Sequence, residues 1–79
     1  MKTTKIALYK IFRRMGIQRN DISLSTNINT DLFFDNDDMN IFLFFIETKF
    51  NINVADQEIP QLQTVNNTIS FIEKKAGIQ

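Results

Sequence analysis

The chain contains no cysteine, no histidine and no tryptophan, and its 79 residues include only two glycines and one proline. Without cysteine it can form neither a disulfide nor a thiolate nucleophile. Without cysteine and histidine it lacks the ligands of most zinc sites. Its apolar runs are far shorter than the roughly 20 residues that span a bilayer, and no signal-peptide core follows Met1. We therefore expect a cytoplasmic protein with no membrane span.

The length predicts one domain over residues 1–79. A chain of this size buries only about 60% of the surface that its unfolded form exposes. The single core must therefore come from a few amphipathic elements, and we expect modest stability.

The net charge is zero, but the charges are unevenly distributed. Residues 1–20 carry six cations and no acid, whereas residues 21–60 carry eight acids against Lys49 alone. Two oppositely charged surfaces can attract each other within the fold or orient partners. The basic first segment also suggests nucleic-acid binding. The zero net charge and the acidic middle of the chain argue against that function, so we expect no nucleic-acid partner.

Residues 35–50 give the strongest local pattern. Asp35 or Asn36 can cap a helix, and the next acids, Asp37 and Asp38, suit the positive end of the helix dipole. An apolar stripe with helical spacing follows, consisting of Met39, Phe42, Leu43, Ile46 and Phe50. The apolar run 41–46 could instead be a buried strand. The cap, the persistent stripe and the absence of glycine and proline favour a helix.

Two further main helices are predicted on either side. The first begins at Thr3 or Thr4 and ends at Met15, where Gly16 permits a left-handed end; its apolar face is Leu8, Ile11, Phe12 and Met15. The last is capped by Thr64 and ends at Gly77. Its stripe is Val65, Ile69, Ile72 and Ala76, with Phe71 at the edge.

The connections are a long loop and a short helix. Residues 17–34 are rich in turn-forming residues, with apolar side chains that could enter the core: Ile17, Ile22, Leu24, Ile28, Leu32, Phe33 and Phe34. Residues 51–55 suit an extended loop or a short strand. Asp56 is predicted to cap a helix of one or two turns that stops near Pro60.

These motifs resemble the acyl carrier protein family. Its second helix opens with a pattern close to Asp-Ser-Leu-Asp-Met and closes with Leu-Glu-x-x-Phe. Asp35, Asp38 and Met39 match the first part, and Glu47 and Phe50 match the second. Matches at 30–32 and 64–65 extend the resemblance over residues 16–72 without a gap. The implied fold is an all-α four-helix bundle with three main helices, one short helix and a long first loop.

The resemblance places the family's reactive serine at Asn36 and its following leucine at Asp37. In the family, that serine hydroxyl receives a phosphopantetheine arm from coenzyme A. An amide nitrogen is not a nucleophile, because its lone pair is delocalised into the carbonyl. Thr48 lies twelve residues further along the helix, roughly 18 Å away. We therefore expect no phosphopantetheine, no other cofactor and no enzymatic activity. Asn36 could still serve as the helix cap that serine would have provided.

A second cluster predicts a contact with another protein. Ile41, Phe44 and Phe45 lie opposite the core stripe and can form one patch. Asp37, Asp38 and Glu47 would form its rim, with Asp35 nearby. The resemblance implies that acyl-chain synthesis enzymes dock on this face, and a second copy of the chain is another candidate. Alternatively, Phe33 or Phe34 covers the patch and the core is simply wider.

Two weaker readings concern ligands. Asp31, Asp35, Asp37 and Asp38 could gather a hard cation, but the spacing lacks the glycine and distal glutamate of a calcium loop, and we predict no metal site. The function predicted from the sequence is a non-carrying module linked to fatty-acid, polyketide or nonribosomal-peptide synthesis. The alternatives are a lipid held non-covalently in the bundle core, or nucleic-acid binding through the first helix.

Overall fold

The computed structural model describes residues 2–77 as an all-α bundle. Its three main helices are α1 (Lys2–Arg14), α2 (Asn36–Phe50) and α3 (Val65–Ala76). A short 3-10 helix, Asp56–Gln61, precedes α3, and a single 3-10 turn, Arg19–Asp21, lies in the first loop. The predicted architecture is confirmed, although the turn at 19–21 was not foreseen. The strand alternative for 41–46 is wrong, because those residues lie within α2.

The ends of α1 and α2 follow from residues that tolerate a left-handed backbone. Gly16 has a φ of 86° after α1, where its N–H donates to Arg13 O (3.0 Å) and the N–H of Ile17 donates to Phe12 O (2.9 Å). These two bonds satisfy carbonyls that the last turn would leave unpaired. Asn51, with a φ of 55°, ends α2 in the same region. The predicted left-handed Gly16 is confirmed, and the helix itself ends at Arg14, one residue before the predicted Met15.

The core joins the apolar faces of all three helices around an aromatic cluster. Phe12 of α1 stacks on Phe42 of α2 with ring centroids 5.0 Å apart. Phe34, from the end of the first loop, packs edge-on against Phe42 at 5.7 Å. The buried cluster also contains Leu8, Ile11, Ile22, Ile28, Met39, Ile46, Val65, Ile69 and Ile72. The predicted core faces are therefore largely correct. On α2, Phe50 is half-buried against the cluster as predicted, but Leu43 is half-buried without belonging to it, and Phe45, which the sequence placed on the opposite face, packs against it.

The first loop docks against the beginning of α3. The N–H of Ile28 donates to Gln63 O (2.8 Å), while the N–H groups of Val65 and Asn66 donate to Thr26 O and Leu24 O (3.0 and 2.9 Å). Asn27 and Thr64 pair as an isolated antiparallel bridge. The loop thus supplies acceptors to N–H groups that a helix start cannot satisfy itself.

The loop's apolar residues divide between core and surface. Ile22 and Ile28 are buried, and Ile17, Leu32 and Phe34 are half-buried against the core, as predicted. Leu24 and Phe33 were predicted to enter the core as well and do not, since they remain 42% and 83% exposed.

The chain before α3 is held by Glu58 and Thr64. The Thr64 hydroxyl accepts from the N–H of Asn67 (3.0 Å), which confirms the predicted cap. Asp56, predicted to cap the short helix, instead lies inside it; the cap position is Ala55, whose N–H donates to Glu58 Oε1 (2.9 Å). The helix continues through Pro60 to Gln61.

Within α3, Phe71 is buried although the sequence placed it at the edge of the stripe. Among residues 2–77, no helix is both long enough and apolar enough to cross a membrane.

Candidate docking surface around the start of α2

The start of α2 is fixed by two aspartates that satisfy each other's backbone. Asp35 Oδ1 accepts from the N–H of Asp38 (2.8 Å), and Asp38 Oδ2 accepts from the N–H of Asp35 (3.2 Å). This is a capping box, which removes two unpaired donors from the first turn. Asp35 is therefore the cap, and the expectation that Asn36 could play this part is wrong. Asn36 is the first residue of the helix and its side chain is exposed.

The acidic residues predicted to act together have separate partners. Asp31 Oδ2 accepts from the N–H of Asn27 (2.8 Å), and Asp35 and Asp38 form the cap. The side chain of Asp37 is exposed and makes no hydrogen bond or ion pair with another residue of 2–77. Within that range, no group of three acidic side chains is arranged to hold a metal ion. Of these four aspartates, Asp37 is the one whose carboxylate has no hydrogen-bond partner within residues 2–77.

Glu47 was predicted to lie on the rim of the docking patch. Its Oε2 accepts from the N–H of Val54 (2.8 Å), and the residue is half-buried. This bond ties the segment after α2 back to the helix. Glu47 therefore positions the loop at 51–55.

An apolar patch is open on the outer side of α2. Phe44 is 63% exposed and Ile41 is 48% exposed. The rings of Phe44 and Phe45 lie 6.1 Å apart at 54°. Phe45 is half-buried, with the guanidinium of Arg14 4.8 Å from its ring centroid. The side chain that covers Phe45 therefore comes from α1, whereas the sequence suggested the first loop.

Neither aromatic residue that could have covered the patch does so. Phe34 packs against Phe12 and Phe42 in the core. Phe33 is 83% exposed and has a φ of 58°. A left-handed backbone is uncommon for a bulky residue and costs roughly 1–2 kcal/mol. Phe33 thus extends into solvent, and Ile41 and Phe44 remain exposed.

The sequence is similar to those of curated acyl carrier proteins. The chain is 30% identical to the acyl carrier protein of Solidesulfovibrio magneticus over 67 residues, which are 85% of this chain and 86% of that protein. The chain belongs to the acyl carrier protein family. It is 31% identical to the acyl carrier protein of Buchnera aphidicola subsp. Acyrthosiphon pisum, over 82% of this chain and 81% of the relative. It is 27% identical to the acyl carrier protein of Chlamydia caviae, over 85% of this chain and 87% of the relative. No family model matches the chain.

This acyl carrier protein homologue also has a basic groove that the sequence analysis did not identify. The groove has a volume of about 310 Å³, lies between α1 and α2, and is lined by Lys10, Arg14, Phe45 and Lys49 among others. None of the three cations forms an ion pair within residues 2–77. Lys10 and Arg14 are four residues apart, and this spacing could have indicated from the sequence that they share one face of α1. The position of Lys49 beside them depends on how the two helices pack.

Proposed function

We propose that this member of the acyl carrier protein family carries no acyl group covalently and acts as a protein-interaction module for acyl-chain synthesis. The observation that supports this most directly is Asn36. The resemblance aligns it with the serine that bears the phosphopantetheine arm, and it lies exposed at the beginning of α2.

The chemistry of the side chain supports the absence of the arm. Transfer from coenzyme A requires an oxygen that attacks phosphorus and gives up its proton to a base. Asn36 has no such oxygen. Thr48, in the same helix, lies roughly 18 Å away along the axis. The hydroxyls of Ser23 and Thr26 are not at the start of α2 either, because they lie 3.2 Å apart in the loop that docks on α3.

The exposed face of α2 supports the interaction role. A small chain that keeps Phe44 and Ile41 in solvent loses free energy that burial would have provided. Contiguous exposed apolar side chains on a small protein often mark a contact site. The relatives' name, acyl carrier protein, suggests that partners on this face come from acyl-chain synthesis.

The mass of the intact protein tests the absence of the arm. The purified chain is incubated with coenzyme A and a broad-specificity phosphopantetheinyl transferase, beside a serine-bearing acyl carrier protein as the positive control. We expect the control to gain the mass of the arm and this chain to remain unmodified. A gain of that mass here, mapped to any residue, would overturn the non-carrying function.

Two variants separate the effects of the two departures from the family motif. We expect Asn36→Ser to be labelled poorly, because Asp37 places a charge where the family has an apolar contact for the transferase. Asn36→Ser combined with Asp37→Leu is then labelled more completely. Equal, efficient labelling of both variants would show that Asp37 does not hinder the transferase.

A further inference from the structure

We infer that the outer face of α2 pairs with the same face of a second copy, with the two helices antiparallel. This inference rests on the proposed role of that face as a docking surface, and it names the partner.

The face is one continuous stripe. Asp37, Ile41, Phe44 and Thr48 follow each other at intervals of four, three and four residues, which places them along one side of a helix. All four side chains are exposed. The stripe is therefore a ridge about three turns long, with its two apolar members at the centre.

Charges of opposite sign lie at the two ends of the helix that carries this ridge: Asp37 belongs to the ridge, whereas Lys49 follows Thr48 on the side of α2 that faces α1. Asp37 lies at the beginning of α2 without a polar partner among residues 2–77. Lys49 lies in the last turn, and Lys10 and Arg14 of α1 line the same groove. A partner that complements the ridge must therefore present cations near Asp37, apolar side chains at the centre and an acid near Lys49.

A second copy in the antiparallel orientation has this arrangement. A two-fold axis that passes between Ile41 and Phe44 places Ile41 of one copy opposite Phe44 of the other. The same operation brings Asp37 opposite the Thr48–Lys49 end of its partner, since these residues lie at similar distances on either side of the axis. Parallel pairing would instead bring Asp37 onto Asp37 and Lys49 onto Lys49, and like charges repel.

The overall charge and the size of the patch set the expected strength. With a net charge of zero, no long-range repulsion opposes association of two copies. One short helical face is smaller than the roughly 800 Å² per partner of a standard interface. We therefore expect a weak dimer, with a dissociation constant on the order of 10 μM or weaker at low salt.

Charge reversal combined with sedimentation equilibrium tests both the pairing and its orientation. We expect Asp37→Lys and Lys49→Asp each to weaken the dimer at least about tenfold, and the double variant to recover most of the affinity. Asp56→Lys makes the same change in charge on an exposed residue of the short helix, outside α2, and we expect it to leave the affinity unchanged. Phe44→Asp removes the apolar centre and should abolish the dimer with a nearly unchanged thermal midpoint.

Four outcomes would overturn the inference. A chain that stays monomeric at several hundred micromolar does not pair with itself. A dimer that withstands both Phe44→Asp and Asp37→Lys uses another surface. Single reversals that weaken the dimer without recovery in the double variant contradict the antiparallel orientation. A Phe44→Asp chain that unfolds places Phe44 in the core, and pairing through this face then fails. Each outcome is independent of the mass measurement, so the non-carrying function and the dimer can fail separately.

Discussion

Asp35 and Asn36 are adjacent polar residues with different structural roles. Either side chain suits a helix cap, and the sequence alone allowed both. The structure assigns the cap to Asp35, because its carboxylate lies 2.8 Å from the N–H of Asp38. Asn36 is left exposed and outside the hydrogen-bonded cap. At this position the fold requires only a residue that is compatible with the first turn.

Alanine substitutions distinguish the two roles. We expect Asp35→Ala to lower the free energy of unfolding by about 1 kcal/mol, as loss of a cap normally does. Asn36→Ala should change it by less than about 0.5 kcal/mol, as is usual for an exposed side chain. Urea denaturation followed by circular dichroism gives both values. Equal losses would show that Asn36 contributes to the helix start after all.

The short helix and α3 are joined by an ion pair whose strength depends on pH. Lys75 Nζ donates to both oxygens of Glu58, at 2.8 and 2.9 Å. This pair, followed by the N–H of Ala55, holds the pKa of Glu58 below its usual value of 4.5. A carboxylate with a depressed pKa stabilises the fold above its unfolded pKa, and that contribution is lost as the pH falls through the folded pKa.

Removal of the cation should therefore matter most while Glu58 is charged, since the other contact of Lys75 Nζ, 5.8 Å from the ring centroid of Phe71, does not depend on that charge. We expect Lys75→Met to lower the denaturation midpoint at about pH 7 and to have a much smaller effect at about pH 3. Lys74 is exposed and has no ion pair within residues 2–77, so Lys74→Met is the matched control and should change little at either pH. A loss from Lys75→Met that is the same at both pH values would attribute it to packing of the side chain.

Sequence patterns located the elements better than the contacts between them. The left-handed Gly16, the cap at Thr64 and most of the core stripes depend on local spacing, and these predictions are correct. The burial of the first loop depends on bonds to α3 that no periodicity signals, so Leu24 and Phe33 were wrongly expected in the core. Likewise, Asp31 and Glu47 bind backbone N–H groups that only the folded chain brings within reach. The carboxylates of the site could be identified from the sequence, but their partners could not.

The net charge of the whole molecule is zero, but its positive and negative side chains are concentrated on different helices. The cations of α1 and the free carboxylate of Asp37 are fixed on different parts of one small surface. The apolar ridge of α2 lies between the acidic start of that helix and the basic groove. Formal charge therefore says little about association here, whereas the order of charges along one helix predicts both a partner and an orientation.

The bonds between the first loop and α3 make two distant parts of the chain open together. If the loop leaves, Val65 and Asn66 lose their acceptors and the first turn of α3 frays, so opening is cooperative. We expect the amide hydrogens of Ile28, Val65 and Asn66 to exchange with solvent at similar slow rates in a native-state experiment. The amides of Asn36 and Asp37, in the free first turn of α2, should exchange much faster. Fast exchange at Ile28 with slow exchange at Val65 would show that the loop moves independently of α3.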